Sequence, residues 1–222
     1  MQKRIVFSLG GSLLYKDKTL DVNYIKRFSK FVSKLSKRFA IVVVVGGGTL
    51  AREFISVARK FTKNNFLLDI IGIEATRMNA MLLSISIPNA EYIENPLTLE
   101  ELSNGKIFVT AGLIPGISTD GVAALIAEKL GATFVNLTNV DGLYTADPNK
   151  FKNVEIVPKI KAKKLREFLQ PSFEPGQHFI IDNFALNIIE RSSIRCIIVN
   201  GRKFSEILKA LTNKRFRGTI VE

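Results

Sequence analysis

The β-branched residues 41–45 (IVVVV) lead directly into Gly46, Gly47 and Gly48, after which the pattern becomes helical. A continuous Val/Ile run without polar alternation is typical of a strand covered on both faces, as in a parallel sheet. Comparable apolar runs recur along the chain, at residues 4–9, 40–45, 66–71, 107–110, 133–138 and 195–200. We predict a strand at each of these positions.

Helical patterns separate the strands, over residues 22–39, 50–61, 119–130 and 204–211. The third begins with Thr119 and Asp120 as cap candidates and stops at Gly131, a common C-terminal position for glycine. Strand–helix alternation predicts an α/β protein, a three-layer α/β/α sandwich with a central, mainly parallel sheet. We expect one domain over residues 1–222. Turn-forming residues cluster near 139–151 and divide it into approximate lobes 1–135 and 136–222.

The composition limits the kinds of partner that the protein is expected to bind. The net charge is +12, but the basic residues are scattered, and four Tyr with no Trp provide little stacking surface, so we expect no nucleic-acid partner. The single Cys196 excludes an internal disulfide and lies in an apolar run, which favours a buried, inert thiol. No apolar run approaches the roughly 18 residues of a membrane span, so we expect a cytoplasmic protein without a membrane partner.

The glycine turn at 46–48 suits an anion. Glycine lets backbone N–H groups approach an oxygen closely, the helix N-terminus adds partial positive charge, and Arg52 follows near the helix start. A plain tight turn is the simpler alternative. The spacing Gly46-x-Gly48-x-x-Ala51, with Asp69 at the end of the next predicted strand, also satisfies the dinucleotide fingerprint, so a Rossmann dehydrogenase is a competing hypothesis.

A second glycine turn occurs in residues 7–14 (FSLGGSLL), where Gly10 and Gly11 precede Ser12. Two such turns in one sheet can face each other across a crevice at its carboxyl edge. One glycine turn is enough to bind the phosphates of a dinucleotide. Transfer of a phosphoryl group between two molecules needs both turns, one for each molecule. Neither turn has the P-loop spacing, so a P-loop kinase is excluded.

A third stretch, LTNVDGLYTADP (137–148), resembles the nucleotide-binding signature of the amino-acid kinase superfamily, and specifically of its uridylate (UMP) kinases. FSLGGS, VGGGTLAR, FLLDIIG, AGLIPGISTDGVAA and FIIDNFAL also follow the family's order, and the GGSLL form is similar to its archaeal-type branch. The resemblance implies transfer of the γ-phosphoryl group of ATP to UMP. It also implies Mg²⁺ carried mainly by the nucleotides, an acceptor lobe followed by an ATP lobe, and a homo-oligomer, commonly a hexamer.

The resemblance also implies roles for individual residues. The UMP side would comprise Gly47, Asp69 and the loop Gly112, Leu113, Ile114, Pro115, Gly116, Ile117, Ser118 and Thr119. The ATP side would comprise Leu9, Gly10, Gly11, Gly48, Arg52, Thr138, Tyr144 and Asp147. The catalytic positions would be Arg52, Asp182, which would organise the cations, and Ser8.

Position 8 departs from the family, because many members have a lysine there that stabilises the transferring phosphoryl group. Arg4 shares a strand face with Ser8 but lies too far away for a simple exchange, at about 3.3 Å per residue. Lys3, Lys16 or Lys18 are alternative sources of charge, as are Mg²⁺ and backbone amides.

Simpler roles compete for several of these residues. Asp69 and Asp120 could cap helices, and for Asp120 we expect that role. Asp147 could start a turn, Asp182 could be a surface carboxylate, and Arg52 could be a solvated helix residue. His178 is the only histidine, and we expect it to be structural or exposed.

The sequence also leaves alternatives for the function and for the oligomeric assembly. Alternative functions are phosphoryl transfer to a different acceptor and non-catalytic binding of a nucleotide or anion by a regulator. The amphipathic segment 22–39 is the interface candidate.

Overall fold

The computed structural model describes residues 3–100, 102, 105–146, 154–166 and 181–222. Its strands are β1 (Lys3–Leu9), β2 (Tyr15–Lys16), β3 (Thr19–Leu20), β4 (Phe39–Val45), β5 (Ala90–Tyr92), β6 (Ile107–Thr110), β7 (Thr133–Thr138), β8 (Lys159–Ile160), β9 (Cys196–Asn200) and β10 (Thr219–Val221). Eight of them form one sheet in the order β5-β6-β4-β1-β7-β9-β10-β8, and β2 pairs with β3 separately. All neighbours in the large sheet are parallel except β9 and β10.

The helices are α1 (Val22–Ser36), α2 (Gly48–Ala58), α3 (Asn65–Ser86), α4 (Thr119–Leu130), α5 (Ala162–Arg166), α6 (Asn183–Arg191) and α7 (Phe204–Leu211). They cover both faces of the sheet because successive strand residues point to opposite sides. In β1, Val6 packs with α4 and α6, whereas Phe7 packs with α1, α3 and α7. The predicted three-layer sandwich with a mainly parallel sheet is confirmed. No helix among the described residues has both the length and the apolar character to cross a bilayer.

Most predicted elements are present. The strands at 107–110 and 133–138 and the helices at 119–130 and 204–211 have the predicted bounds. The other strand predictions shift by one residue, apart from 66–71, and the helices at 22–39 and 50–61 instead span 22–36 and 48–58. Gly131 closes α4 in the left-handed conformation, with φ of 58°. Cys196 is buried, as expected, and burial raises the pKa of its thiol.

The predicted strand at 66–71 is wrong, because these residues form the first turns of α3. The Asn64 side chain caps this helix by accepting a hydrogen bond from the backbone N–H of Phe66 at 3.0 Å. A short apolar run does not by itself distinguish a strand from a buried helix segment, and here the helical pattern continues to Ser86. Asp69 therefore lies on a helix rather than at a strand end, which removes the geometry that the Rossmann hypothesis needs.

Candidate active site

Two glycine turns meet at the carboxyl edge of the sheet. Leu9 and Val45 end the adjacent parallel strands β1 and β4 and are paired in register. The backbone N–H of Gly46 donates to the Leu9 carbonyl at 2.9 Å. A Cβ added to Gly11 would lie 2.2 Å from the Gly46 carbonyl oxygen and 2.3 Å from the Gly48 nitrogen. Only glycine permits this approach, so the two turns form one continuous backbone surface.

This surface is one wall of a cleft with a volume of about 190 Å³. The prediction that both turns open onto the same crevice is therefore confirmed. The cleft also brings together many residues to which the resemblance assigns roles, namely Gly10, Gly11, Gly47, Gly48, Arg52, Asp69, Gly112, Ile114, Ile117, Ser118, Thr119, Thr138 and Asp182.

Other residues with expected roles do not line the cleft: Ser8, Leu9, Leu113, Pro115, Gly116 and Tyr144. The Leu9 side chain is buried in the core, so only its backbone can face a ligand. Tyr144 pairs with Ile156 in an isolated bridge beyond the end of β7. Asp147 and His178 lie outside the described residues.

Two carboxylates lie together at the base of the cleft. The Asp182 Oδ1 caps α6 by accepting from the backbone N–H of Ala185 at 2.9 Å, and its Oδ2 accepts from the Ser118 hydroxyl. Burial, and then the negative charge of Asp182, raise the pKa of Asp120 to about 7, although hydrogen bonds from Ser8 and Asn136 oppose the shift. Asp120 therefore changes charge near neutral pH and would respond to a cation or phosphate placed beside it.

The expectation for Asp120 as an N-cap is wrong. Ser118 caps α4, accepting from the Gly121 backbone N–H at 3.0 Å, and Asp120 instead turns inward from the first turn. There it accepts a hydrogen bond from the Ser8 hydroxyl at 2.5 Å. Ser8 is 1% exposed, so it contacts Asp120 rather than the open cleft.

Arg52 is the only cationic side chain among the described residues that line the cleft. It projects from the first turns of α2 and is exposed, with one long contact of 3.5 Å from its Nη2 to the Thr49 hydroxyl. The other candidate cations lie elsewhere: Arg4 donates to the Leu130 carbonyl at 2.8 Å, and Lys16 and Lys18 are exposed near the β2–β3 pair. Arg52 thus provides the only positive charge among the described side chains of this cleft.

Residues of α3 hold the backbone around the cleft in place. The Asn79 amide donates to the carbonyls of Gly46 and Gly47 at 2.9 and 3.0 Å. The Thr76 hydroxyl accepts from the backbone N–H of Gly112 at 2.8 Å. These bonds fix the glycine turn at 46–48 and the start of the 112–118 loop relative to one helix.

Asp69 joins the same helix to the other end of that loop. Its Oδ2 accepts a hydrogen bond from the backbone N–H of Gly116 at 2.8 Å. Asp69 also lines the cleft, on the side of Gly72 and Ile73. The carboxylate is thus placed to meet a ligand and to position the loop over it.

Sequence reasoning did not single out Thr76 or Asn136 as cleft residues, nor did it assign a site role to Asp120. Asn136 did carry a signal, since it is a polar residue within the apolar strand 133–138 and is 4% exposed. No feature of the sequence marked Thr76, because a single threonine in a helix commonly faces either core or solvent.

Known proteins resemble the chain over nearly its full length. The amino acid kinase family matches residues 3–200, a range that contains every cleft residue named above. The uridylate kinase of Pyrococcus abyssi is 41% identical over 225 residues, with 99% of each chain covered. That of Methanobrevibacter smithii is 36% identical over 217 residues, covering 95% of this chain and 96% of the relative. The crystal structure of uridylate kinase from Archaeoglobus fulgidus is 37% identical with a TM-score of 0.83, covering 98% of this chain and 99% of that chain.

Proposed function

Since this chain belongs to the amino acid kinase family, we propose that it is a UMP kinase that transfers the γ-phosphoryl group of ATP to UMP, giving UDP and ADP for pyrimidine nucleotide biosynthesis. The observation that carries the proposal is the contact between the glycine turns of β1 and β4, which open onto one cleft. Two phosphate cradles in contact can hold two nucleotides head to head. The relatives that match nearly the full length are themselves named uridylate kinases.

The reaction requires alignment more than acid–base chemistry. The phosphate of UMP is already anionic at neutral pH, so the attacking oxygen needs no general base. The backbone N–H of Gly11 faces the phosphates of ATP, Gly47 faces that of UMP, and Arg52 lies between the two nucleotides. The N–H of Gly10 donates to the Leu137 carbonyl at 3.0 Å, so Gly10 holds the turn in place beside the ATP phosphates. The backbone donors are fixed before the substrates arrive, so they stabilise the charge of the transferring group without reorganisation.

Each nucleotide is recognised by its own set of residues. On the acceptor side, Asp69 binds the uridine portion and the loop 112–119 covers UMP. On the donor side, Thr138, Tyr144 and Asp147 hold ATP. The acceptor half then corresponds roughly to residues 1–135 and the ATP half to residues 136–222.

The carboxylates at the base of the cleft fit a magnesium ion carried by the nucleotides. Asp120 and Asp182 present oxygen donors, which Mg²⁺ prefers. No group of three or more His, Cys, Asp or Glu side chains among the described residues could hold a metal by itself, so most ligands of the cation would be phosphate and water oxygens. When bound, Mg²⁺ would neutralise phosphate charge, and Asp182, fixed by its bond to the N-terminus of α6, would hold the ion through a carboxylate oxygen or a water molecule.

The substrate assignment is tested by measuring ADP release with ATP, Mg²⁺ and a panel of acceptors: UMP, acetylglutamate, aspartate, carbamate and isopentenyl phosphate. We expect rapid turnover with UMP and formation of UDP. Preferential turnover of another acceptor would reassign the substrate within the family. Binding of UMP and ATP without formation of UDP would indicate a nucleotide-responsive regulator.

We further propose that the enzyme is a homo-oligomer assembled through an apolar face of α2 and α3, in keeping with the family's hexamers. Exposed apolar side chains lie on these helices and in the turn between them: Phe54, Val57, Phe61, Phe66, Leu67, Ile70, Met78, Met81, Leu82 and Ile85. Phe61 and Ile85 are 84% and 82% exposed, which is uncommon for side chains of this size outside an interface. A second copy of the same face would cover them in a two-fold arrangement. The cytoplasm, where both nucleotides are found, is the proposed location.

The interface candidate suggested by the sequence, α1, lacks such a face. Its apolar residues Ile25, Phe28, Val32 and Leu35 are buried in the core. Its outer side carries charged residues, among them Lys26, which would oppose association with an identical surface.

A further inference from the structure

A buried carboxylate lies near the start of the segment that follows β7, residues 139–144. Asp141 is 8% exposed and accepts a hydrogen bond from the Asn200 amide at 3.0 Å. Lys203 Nζ lies 2.8 Å from its Oδ1, and Arg217 Nε lies 2.7 Å from its Oδ2. Burial alone would raise the pKa of Asp141, but these hydrogen bonds and charges lower it below its ordinary value. Asp141 therefore stays ionised and ties three distant side chains to one loop.

The backbone of the same segment is held by β10. The N–H of Leu143 donates to the Thr219 hydroxyl at 2.9 Å, and that hydroxyl donates to the Val157 carbonyl at 2.7 Å. A Cβ on Gly142 would lie 2.8 Å from the Thr219 hydroxyl oxygen and 3.1 Å from the backbone of Gly218. The segment thus lies directly against the C-terminal strand with no space between them.

Arg217 extends this attachment to a residue of the proposed ATP site. Besides its contact with Asp141, its guanidinium lies close enough to the Tyr144 hydroxyl for the two side chains to interact, which raises the pKa of Arg217. At the other end of the segment, the Gly201 N–H donates to the Thr138 carbonyl at 2.8 Å. Thr138 and Tyr144 are therefore both held by residues 201–217, and neither is positioned by its neighbours in sequence alone.

We propose that Asp141 and Arg217 are positioning residues for the donor nucleotide: their ion pair holds residues 138–144 in the conformation that binds ATP. The inference rests on the proposed function, since Thr138 and Tyr144 are taken as ATP contacts. Both Lys203 and Arg217 lie beyond residue 200, where the family match ends. The C-terminal end of this chain thus sets ATP affinity without touching the cleft.

The test compares Arg217→Ala with wild type in two measurements, steady-state kinetics with UMP and equilibrium titration with a fluorescent ATP analogue. Arg217 has a 61% exposed side chain, so its removal should leave the fold intact. We expect KM for ATP and Kd for the analogue to rise about 5- to 10-fold, with KM for UMP and kcat changed less than twofold. Arg217→Lys keeps the ion pair with Asp141 but cannot also reach Tyr144. Its KM for ATP and its Kd for the analogue should lie between those of wild type and Arg217→Ala.

Arg215→Ala is the matched control, because Arg215 is exposed and lies two residues away, and its replacement removes the same charge. Equal effects of both alanine variants on ATP affinity would overturn the proposal, as would an unchanged Kd in Arg217→Ala or an equal rise in KM for UMP. If the wild type binds the analogue but forms no UDP, the proposed function fails while the Kd comparison still decides the inference. If the wild type does not bind the analogue, both are overturned.

Discussion

Single side chains of opposite charge define the chemistry of the cleft. Arg52 provides the positive charge among the described lining residues, and Asp69, Asp120 and Asp182 provide the negative charge. Arg52 is exposed and bonded only weakly within the protein, whereas Asp120 is half-buried and bonded to Ser8. The first is therefore free to bind an arriving phosphate, and the second is held in place before any ligand binds.

Replacement of Arg52 by alanine should lower kcat by roughly 100-fold or more, because a cationic donor to the transferring group would be lost. The melting temperature should stay within about 2 °C of wild type, since the side chain contributes no core contact. Lys60→Ala, at an exposed position just after α2, serves as the control and should retain full turnover. Unaltered kcat in Arg52→Ala would remove Arg52 from the site.

Asp120 should make stability depend on pH. Its pKa is raised from 3.8 to about 7, so its contribution to stability is fully present below pH 3.8 and is lost as pH rises through 7. Asp120→Asn cannot ionise, so its free energy of unfolding relative to wild type should increase by about 2–3 kcal/mol between pH 5 and pH 8. Urea unfolding at the two pH values measures this difference.

Asp141→Asn is the control with the opposite sign. The pKa of Asp141 is lowered, so its ionised form stabilises the fold above its ordinary pKa, and the variant should lose stability at pH 8. A pH-independent difference between wild type and Asp120→Asn would show that Asp120 is already ionised in the folded protein at pH 5.

At the scale of elements, adjacent strands generate the site. β1 lies between β4 and β7, so the residues that follow all three strands converge at one edge of the sheet. The glycine turns after β1 and β4 touch, and Asn136 and Thr138 reach the cleft from the end of β7. α3 then fixes one turn and the 112–118 loop through Asn79 and Thr76.

A methyl group at Gly11 should separate the two turns. Gly11→Ala would place its Cβ 2.2 Å from a backbone oxygen that cannot easily move, so we expect a loss of about 1–3 kcal/mol in stability and at least a 100-fold loss in kcat. Calorimetry and UDP formation measure the two effects.

Gly105→Ala separates backbone strain from close approach. Gly105 has φ of 82°, and no neighbouring atom lies within 4 Å of the position that a methyl group would take. Alanine there should therefore cost about 1–2 kcal/mol of stability without displacing a neighbour. Full turnover is expected. Comparable kcat in the two glycine variants would mean that contact between the turns is not needed for transfer.

At the scale of the whole molecule, one side of the sandwich differs from the outer side of α1 in exposing many apolar side chains. The apolar face of α2 and α3 is exposed in the single chain, whereas the outer side of α1 is charged. Glu74 interrupts the apolar stripe of α3 between Ile70 and Met78. Burial of such a face removes several large apolar side chains from water and favours association.

Met81→Glu combined with Ile85→Glu should dissociate the protein to a 24.7 kDa monomer, because two carboxylates would be buried in the interface. Light scattering after size exclusion measures the mass. Lys30→Glu on the outer side of α1 should leave the wild-type oligomer intact. A wild type that is already monomeric at micromolar concentration would contradict the proposed assembly.

Local sequence patterns determined most of the elements and both glycine turns. Continuous Val/Ile runs indicate buried parallel strands, and the consecutive glycines at 10–11 and 46–48 indicate tight turns at the ends of two of them. Such constraints act within a few residues, so they can be seen in the sequence. The run 66–71 could not be assigned in this way, since its apolar residues suit a strand or a helix equally.

Tertiary structure alone decided the electrostatics of the site. The bond between Ser8 and Asp120 joins residues 112 positions apart, and the raised pKa of Asp120 depends on its burial beside Asp182. Likewise, Asp141 is held by side chains about 60 or more positions downstream. Burial and charge–charge distance are properties of the packed chain, because they depend on which strands become neighbours, and no local pattern encodes them.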